Sequence, residues 1–215
     1  MPSGFREPVN GFTHLFAVCL AVIGVIILLL TGKHTAYSTG FLLVYGISQI
    51  LMFSTSAIYH LTNASPDGLK RLRKLDHSAI YVSIAGTYTP ICLYFFSGFW
   101  QWGMLTIMWI CAIAGIIFKL FYLNAPRWIS TIIYLIMGWF SVIGIGEILR
   151  TMPGAALGWL LAGGLFYTFG AVIYAIKKPN LFNGKLGFHE IWHVFVILGA
   201  FSHYVLIAAF IAPFC

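Results

Sequence analysis

The sequence has very little charge. Asp, Glu, Lys and Arg make up 8% of its 215 residues, and only five of these are acidic, whereas soluble domains carry about 25% charged residues. Hydrophobic residues make up 60% of the chain, so the composition excludes an ordinary soluble domain and indicates that most of the chain meets lipid. The net charge of +7 does not indicate nucleic-acid binding, because scattered positive charges in so apolar a chain are typical of cytoplasmic loops.

Paired cysteines are also missing. The four cysteines form no CxxC motif and three fall inside apolar runs, so the sequence predicts neither a disulfide framework nor a cysteine metal site. The N-terminus has no basic start and no small-residue cleavage site, so we expect the first apolar run to remain as a span. No internal repeat or low-complexity tract is present, and we expect a single transmembrane domain over residues 1–215.

Apolar segments predict an all-α integral membrane protein. A membrane-crossing helix needs about 20 mostly apolar residues. Residues 78–118 contain no Asp, Glu, Lys, Arg or His over 41 positions, which is too long for one span and right for two. The same test elsewhere predicts a bundle of seven transmembrane helices near 12–31, 41–62, 78–96, 100–122, 128–149, 157–177 and 189–212.

Lysine and arginine predict the orientation of this bundle. With seven spans, the N-terminus and the loops after helices 2, 4 and 6 share one side, and ten of the twelve lysines and arginines fall there. The other side holds only Lys33 and Arg150. This asymmetry predicts a cytoplasmic N-terminus and a C-terminus outside.

Polar side chains from three spans converge at one predicted depth. His189 and His193 lie one turn apart and share a helix face, while His60 closes the second span and Asp76 opens the third. Three protein ligands and a water are typical of catalytic zinc, and bound zinc lowers the pKa of water to about 7. His60, His189 and His193 could therefore hold zinc, Asp76 could hold or activate its water, and Ser56 could orient His60 or bind the substrate oxyanion.

A structural interpretation of these residues stays open. A histidine in a membrane helix can be a buried group bonded to a neighbour, and Ser56 can bond its own backbone. Ionisable groups in spans cost about 3 kcal/mol or more at the bilayer centre, so they are usually functional or paired. The HExxH match to zinc proteases is a weaker signal, and we expect Glu190 to be solvated or to cap the last helix rather than to act as the base.

Other polar residues receive structural expectations. Glu7, Asn10 and His14 either line the site mouth or, as we prefer, tie the first helix to a neighbour. His77 is expected at the membrane interface, and His203 lies too far along its helix to reach the same metal, so we expect it to make a buried hydrogen bond. Glu147 and Arg150 are expected to form an interfacial pair.

Three motifs resemble a known signature: Ser56-Ala-Ile-Tyr-His60, Leu75-Asp76-His77-Ser78 and His189-Glu-Ile-Trp-His193. They are similar to those of the hemolysin III family, which is grouped with the progestin and adipoQ receptors and the alkaline ceramidases. The match runs from residue 7 to about 205. The resemblance implies a seven-helix fold with a cytoplasmic N-terminus, zinc on the three histidines, Asp76 contacting it through water, and Ser56 outside the ligand set.

Several functions fit these expectations. The first is a zinc-dependent hydrolase that cleaves an amide or ester bond of a membrane lipid. The family's name implies a cytolysin, although the spans are those of a resident membrane protein. A receptor or sensor would use zinc structurally, with Asp76 as a direct fourth ligand, and a membrane protease is a distant fourth. No module for a protein ligand is obvious, and the expected location is a bacterial inner or plasma membrane.

Overall fold

A computed structural model describes residues 4–179 and 187–215, which form a bundle of helices without a strand among those residues. Lys185, counted in the charge analysis, lies outside the described residues. The first four helices are α1 Pro8–Leu30, α2 Ala36–Leu61, α3 Pro66–Phe95 and α4 Gly98–Phe121. They are followed by α5 Arg127–Trp139, a 3-10 segment Phe140–Gly144, α6 Ile145–Thr151, α7 Gly154–Ile176, α8 Phe188–Phe210 and a 3-10 turn Ala212–Phe214.

Six helical segments in the described part of the chain are long and apolar enough to cross a membrane. They are α1, α2, α4, the α5–α6 segment, α7 and α8 with its terminal turn. The predicted class of all-helical, multi-pass membrane protein is thereby supported. Helix α3 is not among the six, so the count of seven spans stays a prediction.

Helix α3 begins earlier than predicted. It starts at Pro66 rather than near residue 78, so Asp76 lies ten residues inside the helix instead of opening it. Ser65 precedes the first turn and its hydroxyl accepts a hydrogen bond from the Gly68 backbone at 3.2 Å, with Pro66 at the first helical position. A capped start of this kind stabilises a helix whose first turns are polar. A search for apolar segments does not detect such a start.

The predicted fifth span is interrupted at Phe140–Gly144. The hydroxyl of Tyr88, on α3, donates to the carbonyls of Met137 and Gly138 at 3.1 and 3.0 Å and accepts from the backbone N–H of Ser141 at 2.9 Å. A side chain inserted into the backbone ladder is a recognised cause of a helix break. Tyr88 thus supplies the partners that the broken helix α5 would lack.

Helices α7 and α8 pack closely at glycines. A Cβ atom at Gly163 would lie 2.3 Å from the His203 ring, and one at Gly170 would lie 2.7 Å from Phe195. Small residues let membrane helices approach each other in this way. This contact holds α8 against the bundle and faces its first turns towards α1 and α2, where the candidate site forms.

Candidate metal centre

The structure brings His60, His189 and His193 together. Each histidine offers one ligand nitrogen, and the three nitrogens lie within 4.8 Å of one another. The ring centroids form a nearly equilateral triangle with sides of 4.9, 4.9 and 5.0 Å. His60 and His193 are buried and His189 is half-buried. The three predicted metal ligands are therefore neighbours in space, and the last turn of α2 faces the first turns of α8.

Glu7 orients His60. The Nδ1 atom of His60 lies 2.5 Å from a carboxylate oxygen of Glu7, and the Glu7 backbone N–H donates to the His60 carbonyl at 3.0 Å. The hydrogen bond with His60 holds the pKa of the Glu7 carboxyl below its usual value. A carboxylate on the far nitrogen of an imidazole is the usual support of a metal-binding histidine. Only Nε2 of His60 remains for a metal.

Asn10 and His14, on α1, also contact residues of the site. The His14 ring stacks on the His193 ring, with centroids 3.7 Å apart. Asn10 donates to one carboxylate oxygen of Glu190 at 3.0 Å, while the other oxygen accepts from the Gly187 backbone at 2.8 Å. Glu190 therefore caps α8, as expected, and both its oxygens are engaged. Glu7, Asn10 and His14 tie α1 to α2 and α8, which agrees with the preferred structural expectation and places them around the histidines.

Asp76 and Ser56 form a pair beside the three histidines. The side chain of Ser56 is close enough to the Asp76 carboxylate to interact with it, and both residues are buried. Asp76 does not belong to the group of mutually close ligand atoms. Both residues line one cavity with His189 and His193, so Asp76 faces the space next to the histidines rather than the centre of their triangle.

His77, which was expected at the membrane interface, packs within the protein beside Asp76. Its side chain is only 18% exposed, its Nε2 lies 3.9 Å from an Asp76 carboxylate oxygen, and it lines the same cavity. The hydroxyl of Tyr134, on α5, donates to the His77 carbonyl at 3.0 Å, so this turn of α3 packs against another helix. By contrast, His203 approaches the Leu160 carbonyl at 3.3 Å, and Arg150 pairs with Glu147 at 2.7 Å, both as expected.

The donor set fits a metal ion such as zinc. Three imidazoles converge, one of them already oriented by a carboxylate, and the buried Nδ1 of His193 has no hydrogen-bond partner among the described residues. Buried polar atoms are almost always partnered, so an unpartnered nitrogen beside two other imidazoles fits the role of a metal ligand. Imidazole suits zinc but also copper, iron and nickel, so the donor set alone does not identify the metal.

A long cavity leads from the histidines into the bundle. Besides the site residues, its wall includes Phe96, Met104, Ile148 and Leu157. Asp76 and Phe96 lie twenty residues apart along α3, so the cavity runs for roughly 30 Å at 1.5 Å per residue. Most of its lining side chains are apolar. A polar end at the histidines and an apolar remainder match the shape of a lipid.

Comparison with known proteins identifies a family and several relatives that the chain matches. The chain matches the family described as Haemolysin-III related over residues 3–204. It is similar to Hemolysin-3 of Bacillus cereus (37% identity, covering 97% of this chain and 93% of that protein) and to Hemolysin-3 homolog of Bacillus subtilis strain 168 (33%, 91% and 89%). It is also similar to Adiponectin receptor protein of Drosophila melanogaster (31%, 92% and 49%). The matched range includes all five predicted site residues, and the predicted resemblance of the chain to this family is confirmed.

Proposed function

Because the chain belongs to the Haemolysin-III related family, we propose that it is a zinc-dependent membrane hydrolase that cleaves an amide or ester bond of a lipid. The observation that carries this proposal is the position of Asp76 and Ser56. They face the cavity beside three histidines, at the polar end of a largely apolar chamber. A lipid could enter with its tail in the apolar part and its linkage beside Asp76.

His60, His189 and His193 would hold the metal, which when bound supplies Lewis acidity and lowers the pKa of water to about 7. Glu7 keeps Nδ1 of His60 occupied, so that Nε2 is presented. Asp76 would accept a proton from the attacking water and return it to the leaving group. Ser56, which is close to Asp76, would hold its carboxylate in position, and the apolar wall of the cavity would exclude bulk water.

The proposed orientation puts the site near the cytoplasm. We propose that α3 from about residue 78 is a seventh span, that the N-terminus is cytoplasmic and that the C-terminus is outside. The charge asymmetry supports this arrangement. A purely structural metal would be expected to have Asp76 as a fourth ligand, and the position of Asp76 outside the mutually close ligand atoms favours the hydrolase.

The names of the two Bacillus relatives support a second candidate, a cytolysin. A pore-forming protein would release a trapped dye from liposomes without cleaving lipid. A hydrolase would release fatty acid from lipid substrates and leave sealed liposomes intact in the absence of hydrolysis. The two functions can therefore be separated in one reconstituted preparation.

The test of the proposal measures metal content and lipid hydrolysis together. We expect about one zinc per purified chain, loss of zinc in His60→Ala and His193→Ala, and retention in Asp76→Asn with hydrolysis of ester and amide lipids abolished. His203→Gln is the matched control for zinc content, because it also removes a half-buried histidine of α8 but lies outside the ligand group. Absence of zinc from the wild-type protein, or hydrolysis that survives in Asp76→Asn, would contradict the proposal.

A further inference from the structure

The polar end of the cavity has more positively than negatively charged lining residues. Its charged lining residues are Arg73, Lys119, Arg127 and the single acid Asp76. With neutral histidines, three positive charges against one negative leave a net of two positive charges. No salt bridge within residues 4–179 and 187–215 joins any of the three cations to a carboxylate. The cavity therefore lacks the negative charge that would balance it.

Lys119 is the most unusual member of this group. It lies on α4, is only 2% exposed, and donates from its Nζ to the hydroxyl of Ser130. A lysine that only anchored the protein to headgroups of the surrounding membrane would extend its amine into the interface. The Phe118 ring centroid lies 5.8 Å from the same Nζ, but no carboxylate among the described residues pairs with it. A buried ammonium without a counter-charge is costly in a membrane protein and usually marks a functional site.

Arg73 and Arg127 extend the charge from Lys119 towards the surface. Arg73 is half-buried on α3 and is close enough to interact electrostatically with Lys119. Arg127, at the first residue of α5, is exposed, with its guanidinium 5.4 Å from the Tyr174 ring centroid. Three helices thus present one cation each to the same chamber, and like charges placed together repel unless an anion separates them.

We infer that this end of the cavity is a subsite for the phosphate headgroup of an anionic lipid, held by Arg73, Lys119 and Arg127. The inference rests on the proposed function and narrows its substrate class. A phosphate monoester carries a charge of about −1.5 to −2 at pH 7, which matches the net positive charge better than the single charge of a carboxylate. Arginine guanidinium groups also bind phosphate oxygens in a bidentate manner.

The subsite explains how a lipid would be positioned. With its phosphate at the cations and its acyl chain in the apolar part, the linkage between them lies along the wall that carries Asp76 and the histidines. An ester or amide close to the headgroup is therefore the bond presented for cleavage. A neutral lipid would leave the buried ammonium of Lys119 without a counter-charge, so it would bind more weakly.

The test is a binding titration that does not depend on catalysis. Native mass spectrometry of purified protein would measure the affinity for 1-oleoylglycerol 3-phosphate, for 1-oleoylglycerol, for oleate and for inorganic phosphate. We expect the lipid phosphate to bind wild type most tightly. Loss of a charged hydrogen bond should weaken this binding by about 10-fold or more in Lys119→Met and Arg127→Gln, and Arg71→Gln should not change it. Arg71 is the matched control because it is an exposed arginine on α3 that does not line the cavity.

Further variants keep the result interpretable. Unliganded Lys119→Met should unfold at the same or a higher temperature than wild type, because methionine keeps the apolar stem and removes an unpaired charge. Arg127→Gln measures the same loss of lipid binding at an exposed position, where a substitution has little effect on folding. Asp76→Asn should bind the lipid phosphate at least as tightly as wild type, since the cavity becomes more positive. Binding retained there, together with undetectable hydrolysis in wild type, would reject the hydrolase and keep the subsite.

Other results would overturn the inference. Equal affinity of wild type for 1-oleoylglycerol and its phosphate would remove the headgroup subsite. Tighter binding of oleate than of the lipid phosphate would assign the cations to a carboxylate instead. Binding of inorganic phosphate as tight as that of the lipid phosphate would show that the acyl chain contributes nothing to the affinity. Unchanged affinity for the lipid phosphate in Lys119→Met and Arg127→Gln would show that these cations are not its ligands.

Discussion

The Glu7 carboxylate accepts a hydrogen bond from Nδ1 of His60 and leaves Nε2 of that imidazole for a metal. We predict that Glu7→Gln weakens zinc binding and that Glu7→Ala weakens it further, within the range of about 10- to 100-fold typical of such supporting residues. Glutamine loses the charge but keeps an oxygen that can accept the hydrogen bond, whereas alanine loses both. Competition with a chromophoric chelator of known zinc affinity would rank the zinc affinities of wild type, Glu7→Gln and Glu7→Ala.

Glu147 supplies the control for this prediction. It is also a carboxylate in an ion pair, with Arg150 at 2.7 Å, but it does not line the cavity. Glu147→Gln should therefore retain wild-type zinc affinity. If the Glu7 variants bound zinc as tightly as wild type, the carboxylate would serve only to attach α1 to α2.

Single residues of the site were predictable to different degrees. The spacing of His189 and His193 and the depth of His60 and Asp76 follow from helix geometry and span positions, so the sequence brought these four together. The contact of Glu7 with His60 depends on how the chain enters α1, and no periodicity encodes it. Arg73, Lys119 and Arg127 were counted only as topology signals, because a sequence does not show which charges near the helix ends point into the protein.

Among the helices, α7 and α8 provide the sharpest test of packing. A Cβ atom at Gly163 would lie 2.3 Å from the His203 ring, so Gly163→Ala must displace that ring from the Leu160 carbonyl or separate the two helices. Overpacking of this kind costs about 1–3 kcal/mol. We predict a lower thermal unfolding midpoint for purified Gly163→Ala and weaker retention of zinc, since α8 carries two of the three histidines.

Gly158 is the matched control on the same helix. A Cβ atom there would have no neighbour within 4 Å, so Gly158→Ala should be neutral or stabilising through its higher helix propensity. Equal unfolding midpoints for the two alanine variants would mean that the close contact of α7 with α8 does not limit stability.

The helices that departed from prediction did so for local reasons. The start of α3 at Pro66 was indicated by Ser65, Pro66 and Asp67, an N-terminal pattern that hydropathy alone overlooks. The break at Phe140–Gly144 depends on the hydroxyl of Tyr88, which is fifty residues away in sequence from Gly138. A capping pattern can be recognised in a sequence, but a partner supplied by another helix cannot.

For the whole molecule, the open question is whether α3 crosses the membrane. It is the least apolar of the long helices because it carries charged residues at its start and buried polar ones, such as Ser78, Ser83 and Thr89, further on. Those polar side chains face other helices rather than lipid. A central helix that is shielded in this way does not need an apolar surface, so its composition is compatible with a seventh span.

Cysteine labelling of the full chain would decide between six and seven spans. In a background with the four native cysteines replaced by alanine, an impermeant maleimide should label Phe99→Cys in intact cells but Lys70→Cys only after permeabilisation. These positions flank α3 on opposite ends, and both are exposed. Lys33→Cys and Ala64→Cys serve as outside and inside controls, because both exposed positions lie before α3 and the positive-inside rule assigns their loops independently of it. Labelling of Lys70→Cys and Phe99→Cys under the same condition would mean that α3 enters and leaves on one side. The site residues His60 and Asp76 would then no longer share a depth with His189 by virtue of topology, and the cavity along α3 could not follow the membrane normal.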